Sequence, residues 1–198
     1  MISKSEQTKQ YIIEKAAPIF NQKGYGDTSL SDICKITGLS KGSVYGNFKD
    51  KNELALESFN HIIRNSIFPL ADKINSVNSA KVKMTVIFEY YKKYYQYTIK
   101  IGGCPILNVG IDANHQNVAL NKKVIEVINK LIHSISEIIQ LGQKQGDFNN
   151  EIDAFLYAKR IYSMIEGCIF TAMMRKDDGH IMEMMSYLEE MTQRELYK

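Results

Sequence analysis

Apolar residues recur at intervals of three and four along almost the whole chain, and no stretch of strand length alternates apolar with polar. That periodicity fits α-helices and excludes a sheet-based core. Only Pro18, Pro69 and Pro105 interrupt 198 residues. Ile13, Ala16, Ala17 and Phe20 follow the i, i+3, i+4, i+7 rule, with Gly24 placed as a stop. Ser29 and Asp32 read as the N-cap and third residue of a short helix carrying Leu30, Ile33 and Ile36. Gly38 interrupts, Ser40 caps a third segment through Phe48, and Asp50 with Glu53 opens a fourth helix to about residue 72, where Pro69 predicts a kink or early end. Further helices are expected over roughly 80–100, 105–114, 117–144, 151–175 and 179–196, with Asp178-Gly179 as a turn. The fold expected is all-α, about nine helices, with a three-helix N-terminal domain over roughly 5–65 and a helical bundle over roughly 75–198.

At 44% hydrophobic and 24% charged, the chain can bury a substantial core. No apolar run reaches the roughly 18–20 residues of a membrane span, and the polar start Met-Ile-Ser-Lys-Ser-Glu-Gln lacks the apolar stretch of a secretion signal. Cys34, Cys104 and Cys168 are far apart, which points to reduced thiols and a cytoplasmic location. No membrane partner is expected. Metal chemistry finds little support. Asp112 and His115 stand at i, i+3, and Asp177 and His180 repeat that spacing across a turn, but there is no Glu-x-x-His, and His61 and His133 are isolated. Phosphate-binding glycine loops and nucleophile elbows are absent from the sequence. No enzyme activity, catalytic residue, metal or cofactor is therefore expected.

The net charge of +3 is modest, but all of it is accounted for by residues 35–51, where Lys35, Lys41, Lys49 and Lys51 face the single acid Asp50. Within this segment two short helices meet through a turn at Gly38, a helix-turn-helix spanning about 29–48. Ile33, Ile36, Leu39, Val44 and Phe48 would pack its inner side, leaving Lys41, Gly42, Ser43, Tyr45 and Asn47 outward. Small residues allow backbone approach to bases, and hydroxyl, amide and ammonium groups donate to base edges or phosphates. Thr28 and Ser29, at a helix start, would offer amides to a phosphate, and Lys51 would offer a full charge. The same spacing also suits a helical hairpin with an ordinary solvated lysine face.

Residues 5–65 resemble the TetR-family DNA-binding domain. The matching residues are Ile12-Ile13 to Phe20, Gly24-Tyr25, Thr28-Ser29, Asp32-Ile33, the run Gly38-Leu39-Ser40-Lys41-Gly42-Ser43-Val44-Tyr45, Phe48, Lys51 and Leu54. The resemblance implies a sequence-specific transcriptional regulator, more often a repressor, that binds double-stranded operator DNA at an inverted repeat as a homodimer and is released by a small-molecule effector. Residues 41–44 would approach the bases, while Tyr45 and Lys51 would contact phosphates. Three positions depart from the pattern: Asn47 where histidine is common, Gly46 and Pro18.

Residues 102–113 resemble a segment around the sixth helix in one branch of the family. Phe88, Tyr91, Tyr94 and Tyr95 of the aromatic helix, with Asn108, are candidates for an effector pocket suited to an apolar or aromatic molecule; core packing is the alternative. Glu166, in an apolar stretch, would either neutralise a cationic effector or, the favoured reading, hydrogen-bond within a dimer interface. Two stripes, Ile161, Ile165, Cys168, Ile169 and Ala172, then Ile181, Met184, Leu188 and Met191, are expected to form that interface.

Overall fold

The computed structural model describes residues 3–198, apart from the side chain of His115. Among the described residues there are nine α-helices and no strand: α1 (Lys4–Asp27), α2 (Leu30–Thr37), α3 (Lys41–Tyr45), α4 (Lys51–Asn75), α5 (Ala80–Ile101), α6 (Pro105–Gln116), α7 (Val118–Gln145), α8 (Ala154–Arg175) and α9 (Gly179–Glu195). The all-α expectation holds. Among the described residues no helix is long and apolar enough to cross a membrane. The chain forms two compact units, one from residues up to Ser66 with Ile101–Glu126, the other from Ile67–Lys100 with Val127–Lys198.

In the first unit, α1 buries Ile12, Ala16, Ala17 and Phe20. Its regular course breaks at Gly24, whose φ of +83° a residue with a Cβ adopts only under strain. Pro18 does not end the helix, and in α4 Pro69 does not either; α4 continues to Asn75, beyond the early end expected there. The carbonyls these prolines cannot bond belong to Glu14 and Asn65, both exposed, so water can satisfy them. α2 opens with a reciprocal capping box: the Asp32 amide donates to Ser29 Oγ at 3.1 Å, and the Ser29 amide donates to Asp32 Oδ2 at 2.9 Å. It closes on Gly38 in the left-handed region, at φ +68°. The inner face of α2 differs from the one expected. Ile33 and Thr37 are buried four residues apart, whereas Ile36, off that line, is 44% exposed. The Thr37 hydroxyl satisfies itself by donating to the Ile33 carbonyl at 2.7 Å.

α6 packs on α1. Asn21 Nδ2 donates to the carbonyls of Ile101 at 2.8 Å and Gly103 at 3.0 Å. Asn108 Nδ2 returns bonds to the carbonyls of Asn21 at 2.9 Å and Gly102 at 3.0 Å. Two amide side chains thus satisfy a glycine turn whose own backbone cannot form a helix or ladder.

In the second unit, α5 buries Met84, Ile87, Phe88, Tyr91, Tyr94 and Tyr95. Lys92 of α5 bridges Glu89 at 2.7 Å and Glu189 of α9 at 2.9 Å. The chain end is fastened to the α7–α8 connection. Phe148, fully buried, stacks on Tyr197 with ring centroids 5.0 Å apart and planes 8° from parallel. The Asn149 amide donates to Leu196 at 2.8 Å and the Lys198 amide to Asp147 at 3.0 Å.

A Cβ placed on Gly142 would lie 2.1 Å from Cδ2 of Phe148, a buried ring with no open side. Gly142→Ala is therefore expected to destabilise the protein by about 1–3 kcal/mol despite the better helix propensity of alanine. Chemical denaturation of the variant against the parent measures this directly.

Candidate nucleic-acid interface

α3 is five residues long and cannot persist as an isolated helix. Ser40 caps it by accepting the Ser43 amide at 3.2 Å. Val44 is 1% exposed and Phe48 3%, and they anchor the segment inward. Lys41 and Gly42 are exposed, Ser43 half-buried, and Tyr45 43% exposed. A Cβ at Gly42 would meet nothing nearer than Ser40 Oγ at 4.0 Å, so the glycine leaves an open step on the outer surface. The helix stops at Tyr45 rather than running to Phe48. Gly46 is its C-cap, with its amide on the Gly42 carbonyl at 2.9 Å, so the helix-interior cost of glycine does not apply there. Asn47 folds back, donating from Nδ2 to the Ser43 carbonyl at 2.8 Å.

Two of the expected contact residues have side chains turned inward. Thr28 is fully buried and donates its hydroxyl to the Gly24 carbonyl at 2.6 Å. Val44 is core, because a helix this short must spend its one inward position on packing. Ser29 is exposed, but its amide and hydroxyl belong to the capping box with Asp32. That box and Lys23, 3.0 Å away, hold the Asp32 carboxyl well below the usual carboxylate range. Lys51 sits with its ammonium 4.4 Å from the centre of the Tyr25 ring and 3.4 Å from the Gly26 carbonyl. Partial burial lowers its pKa, while the carboxylates of Asp112 and Asp27 oppose that shift.

Tyr25 lies against this lysine and is itself bonded to Asn52 and Asp112, with Asn117 on the same Asn52 oxygen; the sequence alone gave none of them a role there. No local spacing could have grouped them, since they come from α1, α4, α6 and the α6–α7 junction. The remaining candidates are placed differently from expectation. Asn108 belongs to the first unit and is committed to the Asn21–Gly102 turn, whereas Phe88, Tyr91, Tyr94 and Tyr95 lie in the second, each 7% exposed or less. The tyrosine rings pack on one another along α5, Tyr91 on Tyr94 at 5.5 Å and Tyr94 on Tyr97 at 6.0 Å. Ile161, Ile165, Cys168, Ile169, Ala172, Ile181, Leu188 and Met191 are each 5% exposed or less, and Met184 is half-buried. These stripes are buried within one chain, in which α8 packs on α9. The outward face of α8 carries another run at helical spacing, Leu156, Ser163, Gly167, Phe170 and Met174, all exposed. Of the metal candidates, the His115 side chain lies outside the described residues, and no metal-binding cluster occurs among those described.

Glu166 lies beside that outward run, with its Oε2 buried and without a hydrogen-bond partner. Burial pushes its carboxyl up to about 7, an effect the Tyr162 hydroxyl partly offsets. A folded-state pKa above the unfolded one means the charged form is penalised only in the folded protein. The contribution to stability is full below the unfolded value and is lost as pH rises through about 7. Glu166→Gln is therefore expected to lose less Tm than the parent between about pH 5 and about pH 8, as thermal unfolding at the two pH values measures.

The family models and solved structures agree with this architecture. Residues 12–57 match the model for bacterial regulatory proteins of the tetR family, and residues 80–188 match a tetracyclin repressor-like C-terminal domain. A TetR-family transcriptional regulator from Cytophaga hutchinsonii is 32% identical, with 96% of this chain and 95% of that one covered and a TM-score of 0.87. A TetR transcriptional regulator from Chloroflexus aurantiacus is 27% identical, with 98% of each chain covered and a TM-score of 0.92. The biofilm operon icaADBC HTH-type negative transcriptional regulator IcaR of Staphylococcus epidermidis is 27% identical over 161 residues, 75% of this chain and 80% of that protein. Proteins of this family are DNA-binding transcriptional regulators, typically repressors released by an effector, and are not enzymes. A helix-turn-helix with a glycine-stepped outer surface and two matching family domains thus make this chain a member of the tetR family of bacterial regulatory proteins.

Proposed function

We propose that the protein is a cytoplasmic repressor that binds an inverted-repeat operator as a homodimer and lets go when an apolar or aromatic effector binds residues of 75–198. The observation that carries the DNA-reading part is the outer surface of α3, where Lys41, Gly42 and Tyr45 are exposed while Val44 alone anchors inward. Lys41, Ser43 and the open step at Gly42 face the bases; Tyr45 and Lys51 bind phosphates. Thr28 acts through its buried bond to Gly24, which fixes the start of α2, and the amides of Leu30 and Ser31, which the Ser29–Asp32 box does not occupy, face the backbone.

Dimerisation uses the outward run of α8, with Phe170 and Met174 exposed by 47% and 64%, together with Met182 and Tyr187 of α9. A Cβ on Gly167 would meet nothing within 4 Å, so a partner helix can approach closely there. Two heads fixed by such a pairing read half-sites at a set separation. An effector that favours a differently spaced conformer weakens DNA binding, and operator and effector affinities then change by the same factor, typically about 5–150-fold.

A fluorescence-anisotropy titration with DNA flanking the protein's own gene tests the reading, with unrelated DNA as competitor. Tight binding that survives competitor, with a footprint on an inverted repeat, is the expected result; equal, salt-labile binding to both DNAs would reject it. Lys41→Ala and Tyr45→Ala should each weaken operator binding about tenfold, the loss of a contact near 1.4 kcal/mol, without lowering Tm. Gly42→Ala should leave the fold intact, since a methyl fits the chain, and still impair operator binding by occupying the step. Phe170→Glu should yield a monomer in analytical ultracentrifugation and lose operator affinity with it.

A further inference from the structure

The phosphate contact assigned to Lys51 depends on where a long, flexible side chain is held. Lysine gives up considerable rotamer freedom when it is fixed, so a group that holds it beforehand strengthens any contact it makes. In this structure the ammonium lies over the face of Tyr25, at 4.4 Å, within reach of the Gly26 carbonyl. That is cation–π geometry. It leaves other N–H donors of the ammonium for a further acceptor.

Tyr25 is itself fixed at both ends. Its hydroxyl donates to Asn52 Oδ1 at 2.7 Å, and the same oxygen accepts Asn117 Nδ2 at 2.8 Å. Its backbone amide donates to Asp112 Oδ2, whose carboxylate also accepts Gln116 Nε2 at 3.1 Å. Glycine on either side of the tyrosine leaves room for these α6 side chains; at Gly24 the positive φ also demands it, whereas the exposed end of Gln116 can swing away from position 26. A Cβ on Gly24 would lie 2.9 Å from Asp112 Cγ, and one on Gly26 would lie 2.1 Å from Gln116 Oε1. The Gly-Tyr-Gly run at the end of α1 is thus a mount for one aromatic ring, clamped by residues about 90 positions further along the chain. All of these residues belong to the first compact unit.

We propose that Tyr25 is a positioning residue for operator binding, its ring holding the Lys51 ammonium in place to meet a phosphate. This rests on the reading of Lys51 as a phosphate contact. Partial burial lowers the Lys51 pKa, and the carboxylates of Asp112 and Asp27 oppose that shift.

The test uses the full-length protein and the operator fragment found above, with anisotropy titrations at several salt concentrations. Lys51→Ala should lower the slope of log affinity against log salt by about 1.8, the release of one phosphate contact by each protomer of the homodimer. Tyr25→Leu should lower affinity severalfold, by no more than Lys51→Ala does, and should add nothing in the double variant. Tyr25→Phe keeps the ring and should stay within twofold of the parent. If Tyr25→Leu costs the same factor with and without Lys51, the ring acts through the fold and the proposal is overturned. If Lys51→Ala changes neither affinity nor slope, the phosphate assignment fails and takes the positioning role with it, an outcome distinct from the first. A second measurement needs no substitution in the ring. With 13C-labelled lysine, the Lys51 ε-methylene of the unaltered protein should show an upfield ring-current shift, assigned by its loss in Lys51→Ala; a normal shift would overturn the proposal.

Discussion

Two helices too short to stand alone form the helix-turn-helix, and the head of this molecule is organised around keeping them folded. α2 has eight residues and α3 five, below the length at which backbone hydrogen bonding offsets the cost of helix nucleation. Their stability is borrowed. The Ser29–Asp32 capping box and the Ser40 cap satisfy their first amides, Gly38 turns between them at positive φ, and Ile33, Val44 and Phe48 fix them inward. Because the inward positions are committed to packing, Lys41, Gly42 and Tyr45 are left exposed on α3.

The same economy governs the residues around Lys51. A charged side chain half withdrawn from water needs compensation, and here it comes from an aromatic face, a carbonyl and two carboxylates at moderate range. Tyr25 is held by Asp112 of α6, which the glycine at position 24 admits beside the backbone. A backbone choice at the end of α1 therefore acts on a charge at the start of α4, through residues from 112 to 117. In the second unit the aromatic residues have a different part. Phe88, Tyr91, Tyr94 and Tyr95 are each buried, and Tyr91 and Tyr94 pack ring on ring.

The helices were legible because each has a local cause. Caps at Ser29 and Ser40, stops at Gly24 and Gly38, and Pro105 at the start of α6 all act over a few residues. Direction was harder to read than existence. Ile36 and Thr37 are adjacent, and hydropathy favours burying isoleucine, but the packed line of α2 runs through Ile33 and Thr37. On α8 the most apolar stripe was legible, yet its surroundings were not: Ile161, Ile165 and Ile169 are buried within the chain's own fold, and the weaker run through Gly167 and Phe170 is what faces outward.

By itself the sequence determined the helical class, the helix-turn-helix and the surface residues of α3, because periodicity, capping and turn chemistry are local and the motif is contiguous. Tertiary structure alone decided which apolar stripe is core, that Thr28 and Val44 turn inward, that Asn108 braces a turn, and that Tyr25 lies under Lys51. Those outcomes depend on pairs such as Asn21 with Asn108 and Tyr25 with Asp112, 87 residues apart in each case. A side chain's neighbours at that separation are set by how helices pack, and no pattern along the chain records them.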